Sequence, residues 1–113
     1  MTSTVAHAWE TKRTRETRKV EDVLRRAGFE MVDAYRYNSA SIRLRVIDAR
    51  FEGLSLAKRD GLVEPSIAQL PEKTQADIIT LFTFAPKELR PKSGISRELL
   101  QNVEFENPSP SIL

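Results

Sequence analysis

The chain has 113 residues, a formal net charge of +2 and no cysteine. Disulfides, thiol redox chemistry and an iron–sulfur cluster held by its own thiolates are therefore excluded. The single histidine, His7, excludes a zinc site built from nitrogen or sulfur ligands. No apolar run reaches the roughly 18–20 residues that span a bilayer, and no secretory signal is visible. We expect a cytoplasmic chain with no membrane partner.

Both ends differ in composition from the middle of the chain. We predict a flexible arm over residues 1–14, one domain over residues 15–90 and an extension over residues 91–113 with a short helix and an extended tail. Trp9 docks either on the domain or on a partner, and Phe105 has the same two alternatives. Seven basic residues between Lys12 and Arg26 alternate with nearby acids, so we interpret this run as a solvated helix face.

The first helix is predicted over residues 16–27. Val20, Val23, Leu24 and Ala27 follow the i, i+3, i+4, i+7 spacing of one apolar helix face. Thr14 or Thr17 is expected to cap its start, and Gly28 to end it.

Two strands are predicted over residues 30–37 and 41–48, and the short turn between them favours an antiparallel hairpin. In the second strand Ile42, Leu44 and Val46 alternate with Arg43 and Arg45. This pattern predicts one covered face of the sheet and another that is at least partly in contact with water.

A second helix is predicted over residues 55–70, with Ser55 as its cap. Pro65 predicts a kink or break near Glu64, because proline cannot donate the helical hydrogen bond. A strand over residues 76–84 is apolar on both faces and is expected to pair in parallel with the second strand. The fold class is thus α+β, in the order α-β-β-α-β, with helices on one face of a three-stranded mixed sheet.

No catalytic motif is present: the chain lacks a glycine-rich nucleotide loop, a phosphate-binding loop and a nucleophile elbow. Asp33 and Asp77 lie in apolar runs, and we interpret them as edge or backbone-bonded residues. No catalytic residue, metal ligand or cofactor is predicted, and we expect the chain not to be an enzyme. The loop that begins at Phe51 either turns tightly at Gly53 or holds an anion at the next helix start.

The stretch RVIDARFEGLSLAKRDGLV, residues 45–63, resembles the signature of the BolA-like family. That family has a strand, then F-x-G-x-[ST], then a helix with an Arg-His pair and an apolar Leu/Val pair. The later stretch ADIITLFTFAPKEL resembles the family's final strand and turn. The resemblance covers residues 16–89 and implies a fold similar to the class II KH fold. The matching signature positions are Phe51, Gly53, Ser55, Arg59, Leu62 and Val63.

Two departures bear on the metal role of that family. The family histidine that ligates an iron–sulfur cluster shared with a monothiol glutaredoxin is replaced by Asp60. Carboxylate is a poor exchange for imidazole at a soft sulfur-bridged cluster. The loop between the first two strands is also short. Both departures argue against cluster sharing.

The resemblance implies a non-enzymatic protein-binding or regulatory module without its own metal centre, working as a monomer or homodimer. A monothiol glutaredoxin is the partner that the family suggests. The predicted partner-binding residues are Phe51, Gly53, Lys58, Arg59 and Asp60. The alternative is a KH-like nucleic-acid-binding regulator, for which the predicted residues are Arg43, Arg45, Arg50, Lys58 and Arg59.

Overall fold

The structure is a computed structural model that describes residues 7–90 and 94–111. A 3₁₀ helix, Ala8–Lys12, comes first, and two shorter 3₁₀ turns lie at Ala49–Phe51 and Pro86–Leu89. The α-helices are Arg15–Arg26 (α1), Leu56–Ile67 (α2), Glu72–Asp77 (α3) and Arg97–Glu106 (α4). The strands are Met31–Asn38 (β1), Ser41–Ile47 (β2) and Ile78–Phe84 (β3).

The sheet has the order β1-β2-β3, with β2 in the centre. β1 pairs with β2 in antiparallel orientation, placing Ala34 opposite Leu44, and β2 pairs with β3 in parallel orientation. The predicted α+β class with a three-stranded mixed sheet is therefore confirmed. The crossover through α2 allows the parallel pairing.

The ends of α1 are set by the predicted residues. The Thr17 amide donates to the Thr14 hydroxyl over 3.2 Å, and the Thr14 amide donates to the Thr17 hydroxyl over 2.9 Å, which satisfies both free amides at the helix start. Gly28, with φ of +94°, ends the helix in the left-handed conformation that glycine adopts without strain.

One face of the sheet packs against α1 and α2 in an aliphatic core. Alternate residues of the two hairpin strands point into it, as the alternation of β2 predicts. The core includes Val20, Leu24, Phe29, Val32, Ala34, Ile42, Leu44, Val46, Phe51, Val63 and Leu70, all buried.

The opposite face of the sheet is also covered, which corrects the prediction of a partly wet face with helices on one side only. The 3₁₀ helix at the N-terminus places Trp9 on this face, and α4 places Phe105 there; both are buried. The Tyr35 hydroxyl donates to the Phe105 carbonyl over 2.9 Å. Two segments expected to lie outside the domain therefore close its second core.

These contacts correct the predictions for both ends of the chain. Within the predicted flexible arm, residues 7–14 dock on the sheet through the buried Trp9, and His7 stacks on Trp9 with ring centroids 5.9 Å apart. The short helix predicted in the C-terminal extension is present as α4 and continues to Glu106, so Phe105 lies in this helix and not in the extended tail. The predictions for residues 1–6, 91–93, Ile112 and Leu113 lie outside the described residues.

The predictions around Pro65 and Pro71 also change. α2 continues through Pro65 and ends at Ile67, so the predicted kink or break near Glu64 is absent. Pro71 is the N-cap residue of α3, a short helix that was not predicted, and its missing N–H costs nothing there because no intrahelical carbonyl would accept from it. The third strand therefore starts at Ile78, two residues later than predicted.

Candidate functional site

The connection from β2 to α2 is held by Asp48. Its carboxylate accepts hydrogen bonds from the Arg50 amide over 2.8 Å and the Glu30 amide over 3.0 Å. Burial opposes ionisation, but the bonds from Arg50 and Glu30 outweigh it and lower the pKa of Asp48. Gly53 turns the chain with φ of +75°, and the Ser55 hydroxyl caps α2 as predicted, accepting from the Lys58 amide over 3.3 Å.

Arg59 joins α2 to the end of β3. Its Nη1 donates to the Thr83 carbonyl over 3.0 Å and to Glu88 Oε1 over 2.8 Å, and its Nη2 donates to Glu88 Oε2 over 2.7 Å. Its Nε donates to the Leu54 carbonyl over 3.0 Å. These bonds from Arg59 are the main reason that the pKa of Glu88 is lowered. Arg59 is a clamp within the fold.

The five predicted partner-binding residues divide into two groups. Phe51 is fully buried and Arg59 is 5% exposed, so neither presents its side chain to a partner. Gly53, Lys58 and Asp60 are exposed. The first group fixes the position of α2, and the second group lies on its accessible side.

The exposed side of α2 is weakly polar for a surface helix. Ala57, Gly61 and Pro65 recur at i, i+4 and i+8, and all three are exposed. Leu56 and Leu62 flank them with 47% and 43% of their surface exposed. We call these five residues the α2 surface. The predicted partner-binding residues did not include them, although the spacing of Ala57, Gly61 and Pro65 at every fourth position is visible in the sequence.

Asp60 and Glu64 lie one helical turn apart and form an acidic rim, which the helical repeat places between Leu56 and the small residues of the α2 surface. Asp60 is exposed, but the surrounding protein still desolvates it partly, and this effect together with the Glu64 charge raises the pKa of Asp60. A cation placed there by a partner would relieve both effects.

A small polar depression of about 110 Å³ lies where the first turns of α2 and α4 approach each other. Its charged lining consists of Arg59, Glu88, Arg97 and Glu98. Two bases and two acids balance there, and Arg59 and Glu88 are already paired with each other. The depression has room for a few water molecules, each of which takes about 30 Å³ in the liquid.

The residues predicted to bind nucleic acid are not brought together on an open surface. Arg43 donates to Glu104 over 3.1 Å and lies above the Tyr37 ring. Arg50 pairs with Asp48 over 3.0 Å. Within the described residues, Lys58 is the one member of the set that is both exposed and without an ion pair.

Arg45 is the member of that set that lies deepest in the fold. It is 5% exposed and pairs with Asp33 over 2.7 Å and with Glu106. The cover provided by α4 is therefore the reason that the alternating arginines of β2 do not face solvent.

Asp33 lies on the edge strand β1, as one of the two interpretations required, and both aspartates are paired with arginines rather than with backbone groups. Asp33 accepts from Arg13 over 3.2 Å as well as from Arg45. Asp77 accepts from Arg36 over 2.8 Å. Both carboxylates are therefore in use within the fold.

In the part of the chain that the structure describes, no three His, Asp or Glu side chains come close enough together to hold a metal ion. No helix among residues 7–90 and 94–111 combines the length and apolar character needed to cross a membrane. No protein-family model, curated protein or solved structure matches the chain.

Proposed function

We propose that the chain is a non-enzymatic protein-binding module of BolA type, and that its partner docks on the α2 surface without a shared metal cluster. The observation that carries the proposal is the exposure of Leu56 and Leu62 beside Ala57, Gly61 and Pro65. A surface helix normally turns charged residues to water. Small residues in the middle of the α2 surface would let the backbone of a partner approach closely.

The roles of the signature residues support the BolA-type part of the proposal. Phe51 is a core residue, Gly53 has a positive φ, Ser55 caps α2 and Arg59 clamps it. Each residue of the motif thus has a physical reason to stand where it does. Fold resemblance alone does not assign a function, so the proposal rests on the accessible residues of α2.

The charges at the rim indicate what kind of partner would fit. Asp60 and Glu64 place two carboxylates beside an apolar strip, and the pKa of Asp60 is raised by partial burial and by Glu64. A partner with a lysine or arginine next to an apolar patch would pair with both carboxylates. Asp60 stands where the family carries its histidine ligand, which favours contact through charge over ligation of a cluster.

A purified monothiol glutaredoxin is the first partner to test, in its apo and its cluster-loaded form. Isothermal titration calorimetry measures binding, and visible circular dichroism reports any cluster held between the two proteins. We expect binding that is equal for the two forms, with no new visible spectrum. Leu62→Glu should weaken it by about tenfold or more, because it places a charge in the contact.

The matched control is Leu100→Glu, which changes a leucine that is 58% exposed on α4. It should leave the affinity unchanged within about twofold. A new spectrum for the wild-type mixture would overturn the cluster-free part of the proposal. Equal losses for the two variants would overturn the assignment to α2, and absence of binding would exclude this partner class.

Nucleic-acid binding stays the second candidate function. The lysine and arginine side chains that favour it lie on α1 and not on β2.

A further inference from the structure

The acids near the basic run of α1 do not neutralise its exposed side. Glu16 pairs with Arg36 over 3.0 Å. Glu21 is 3% exposed; it pairs with Arg13 over 3.1 Å and accepts from the Ala34 amide over 2.9 Å. The sequence therefore has a mixed run of charges, but both carboxylates are engaged within the fold: Glu21 is buried, and Glu16 pairs with Arg36 while its side chain stays 46% exposed.

Five of the exposed basic side chains in this segment form no ion pair within the described residues. Four lie on α1 at positions i, i+3, i+4 and i+11, so they share one side of the helix over about 16 Å. Asp22 is the one acid on that side, and it lies 4.0 Å from Arg25. We call these five residues the basic stripe: Lys12, Arg15, Arg18, Lys19 and Arg26.

We propose that the basic stripe binds the phosphate backbone of double-stranded DNA without reading its sequence. The unpaired cations of α1 lie on one side of the helix, one helical turn apart at its start and two turns apart between Lys19 and Arg26, and such a row is complementary to a row of phosphates. Three of the five are arginines, whose planar guanidinium groups match phosphate oxygens with two parallel hydrogen bonds. This surface is separate from the α2 surface, so the proposal does not depend on the protein partner.

The aromatic residues favour a duplex over a single strand. Proteins that bind single strands stack the bases on exposed aromatic rings. The chain has five phenylalanines, two tyrosines and one tryptophan, and all of them are buried except Tyr37. The partly buried Tyr37 ring is covered by the Arg43 guanidinium, 3.8 Å from its centre. No ring is available beside the basic stripe.

The hydroxyl groups of this segment favour DNA over RNA. Proteins recognise double-stranded RNA largely through 2′-hydroxyl and phosphate contacts. The Thr11 hydroxyl donates to the Ala8 carbonyl over 2.9 Å, while those of Thr14 and Thr17 cap α1. The hydroxyl groups at the start of α1 are therefore engaged within the fold, and the stripe offers mainly cations.

The apolar residues of α1 argue against a membrane surface. A helix that lies in a bilayer interface buries an apolar face in the lipid. Val20 and Leu24 are fully buried in the core of this fold, and Val23 packs against that core. The apolar residues beside the basic stripe are the half-buried Val23 and the exposed Pro71, which do not form a continuous apolar helix face that could insert.

Fluorescence anisotropy with a labelled 20-base-pair DNA duplex tests the proposal over a series of salt concentrations. We expect a dissociation constant in the micromolar range at low salt. The slope of log K against log salt should be about −4, at roughly 0.9 per phosphate contact for four or five contacts. Unrelated duplex sequences should bind equally.

The stripe variant combines Arg15→Gln, Arg18→Gln, Lys19→Gln and Arg26→Gln. Its affinity should fall at least tenfold and its slope should approach −1. The control removes the same charge from exposed bases elsewhere on the protein: Lys58→Gln, Lys73→Gln, Lys87→Gln and Arg90→Gln. The control should stay within about threefold of wild type, and far-ultraviolet circular dichroism should confirm that both variants are folded.

A single strand, a duplex RNA, polyglutamate and vesicles containing phosphatidylserine serve as competing probes. Tighter binding to any of them than to the DNA duplex would overturn the proposal. An equal loss in the stripe and control variants would overturn it as well, because the attraction would then come from net charge alone. Absence of duplex binding at the lowest salt concentration would have the same consequence.

Discussion

The two faces of the sheet are buried by different kinds of contact. The face under α1 and α2 is closed mainly by aliphatic side chains that follow the alternation of β1 and β2, together with Phe29 and Phe51. The opposite face carries charged side chains in the same strands, including Asp33 and Arg45, and is closed by aromatic residues from the two ends of the chain. Trp9 and Phe105 meet there with ring centroids 5.2 Å apart.

The difference shows how a strand in which apolar and charged residues alternate can be buried on both sides. Arg45 is opposite Asp33 in the hairpin register and pairs with it, while Glu106 of α4 supplies a second carboxylate. This face is less completely satisfied than the aliphatic one. Arg45 Nε and Trp9 Nε1 are buried without a hydrogen-bond partner in the described structure. The second face therefore depends on charges and rings that lie far apart in the sequence.

The largest expected effect comes from removing the ring that closes the second face. Phe105→Ala should lower the free energy of unfolding by about 3–5 kcal/mol, because Phe105 is fully buried against Tyr35 and Trp9. Urea denaturation measures the loss. The emission of Trp9, the one tryptophan of the chain, should shift to longer wavelength as its indole becomes exposed.

The control for this substitution is Leu100→Ala, on the solvent side of the same helix. It should change stability by less than about 0.5 kcal/mol. A loss below 1 kcal/mol for Phe105→Ala, with unchanged Trp9 emission, would contradict the docking of α4 on the sheet.

The buried ion pair of the second face provides the next test. Asp33→Ala removes one carboxylate partner from each of two arginines, Arg13 and Arg45. It should cost about 3 kcal/mol in urea denaturation, because an incompletely paired charge stays buried. Asp22→Ala removes an exposed carboxylate of α1 and is the control. A cost equal to that of the control would mean that the second face is open to water.

The burial of the first face could be predicted from the sequence because the apolar alternation that indicates it lies within a short stretch of the chain. Ile42, Leu44 and Val46 alternate within a single strand, and the turn to β1 is short enough to set its register. The second face could not be predicted in this way. Whether Arg43 and Arg45 face water depends on a helix about 60 residues further along the chain.

The candidate site was likewise predicted only in part. The glycine turn and the Ser55 cap follow from short-range rules, and both are present. The burial of Arg59 depends on Glu88, which lies in a different element, and no spacing within α2 indicates it.

The ion pair between Arg59 and Glu88 allows the two faces of the sheet to be compared through the pH dependence of stability. Hydrogen bonds from Arg59 lower the pKa of Glu88 in the folded protein. Its contribution is therefore complete above the unfolded-state pKa near 4.5 and is lost as the pH falls through the folded-state pKa. Glu88→Gln should cost about 2 kcal/mol at pH 7, and the difference from wild type should shrink below pH 4.5.

Glu104 on the second face is the counterpart of Glu88. Its pKa is also lowered, mainly by the Ser109 amide and hydroxyl, and its side chain is 37% exposed. Glu104→Gln should therefore show the same direction of pH dependence with a smaller amplitude, since solvent screens an exposed carboxylate. Urea midpoints measured from pH 3 to pH 7 give the pH-dependent change in stability for both variants. A larger change for Glu104→Gln than for Glu88→Gln would contradict this prediction.

The smallest expected effect has the opposite sign. Partial burial and the neighbouring charge of Glu64 raise the pKa of Asp60, so its ionisation opposes folding once the pH rises through that value. Asp60→Asn should increase stability at pH 7 by less than about 0.5 kcal/mol and have no effect below pH 3.8. Glu64→Gln removes part of the same repulsion and should act in the same direction. A decrease in stability for Asp60→Asn would mean that this carboxylate already has a cationic partner within the chain, and the acidic rim would then have no charge to offer a second protein.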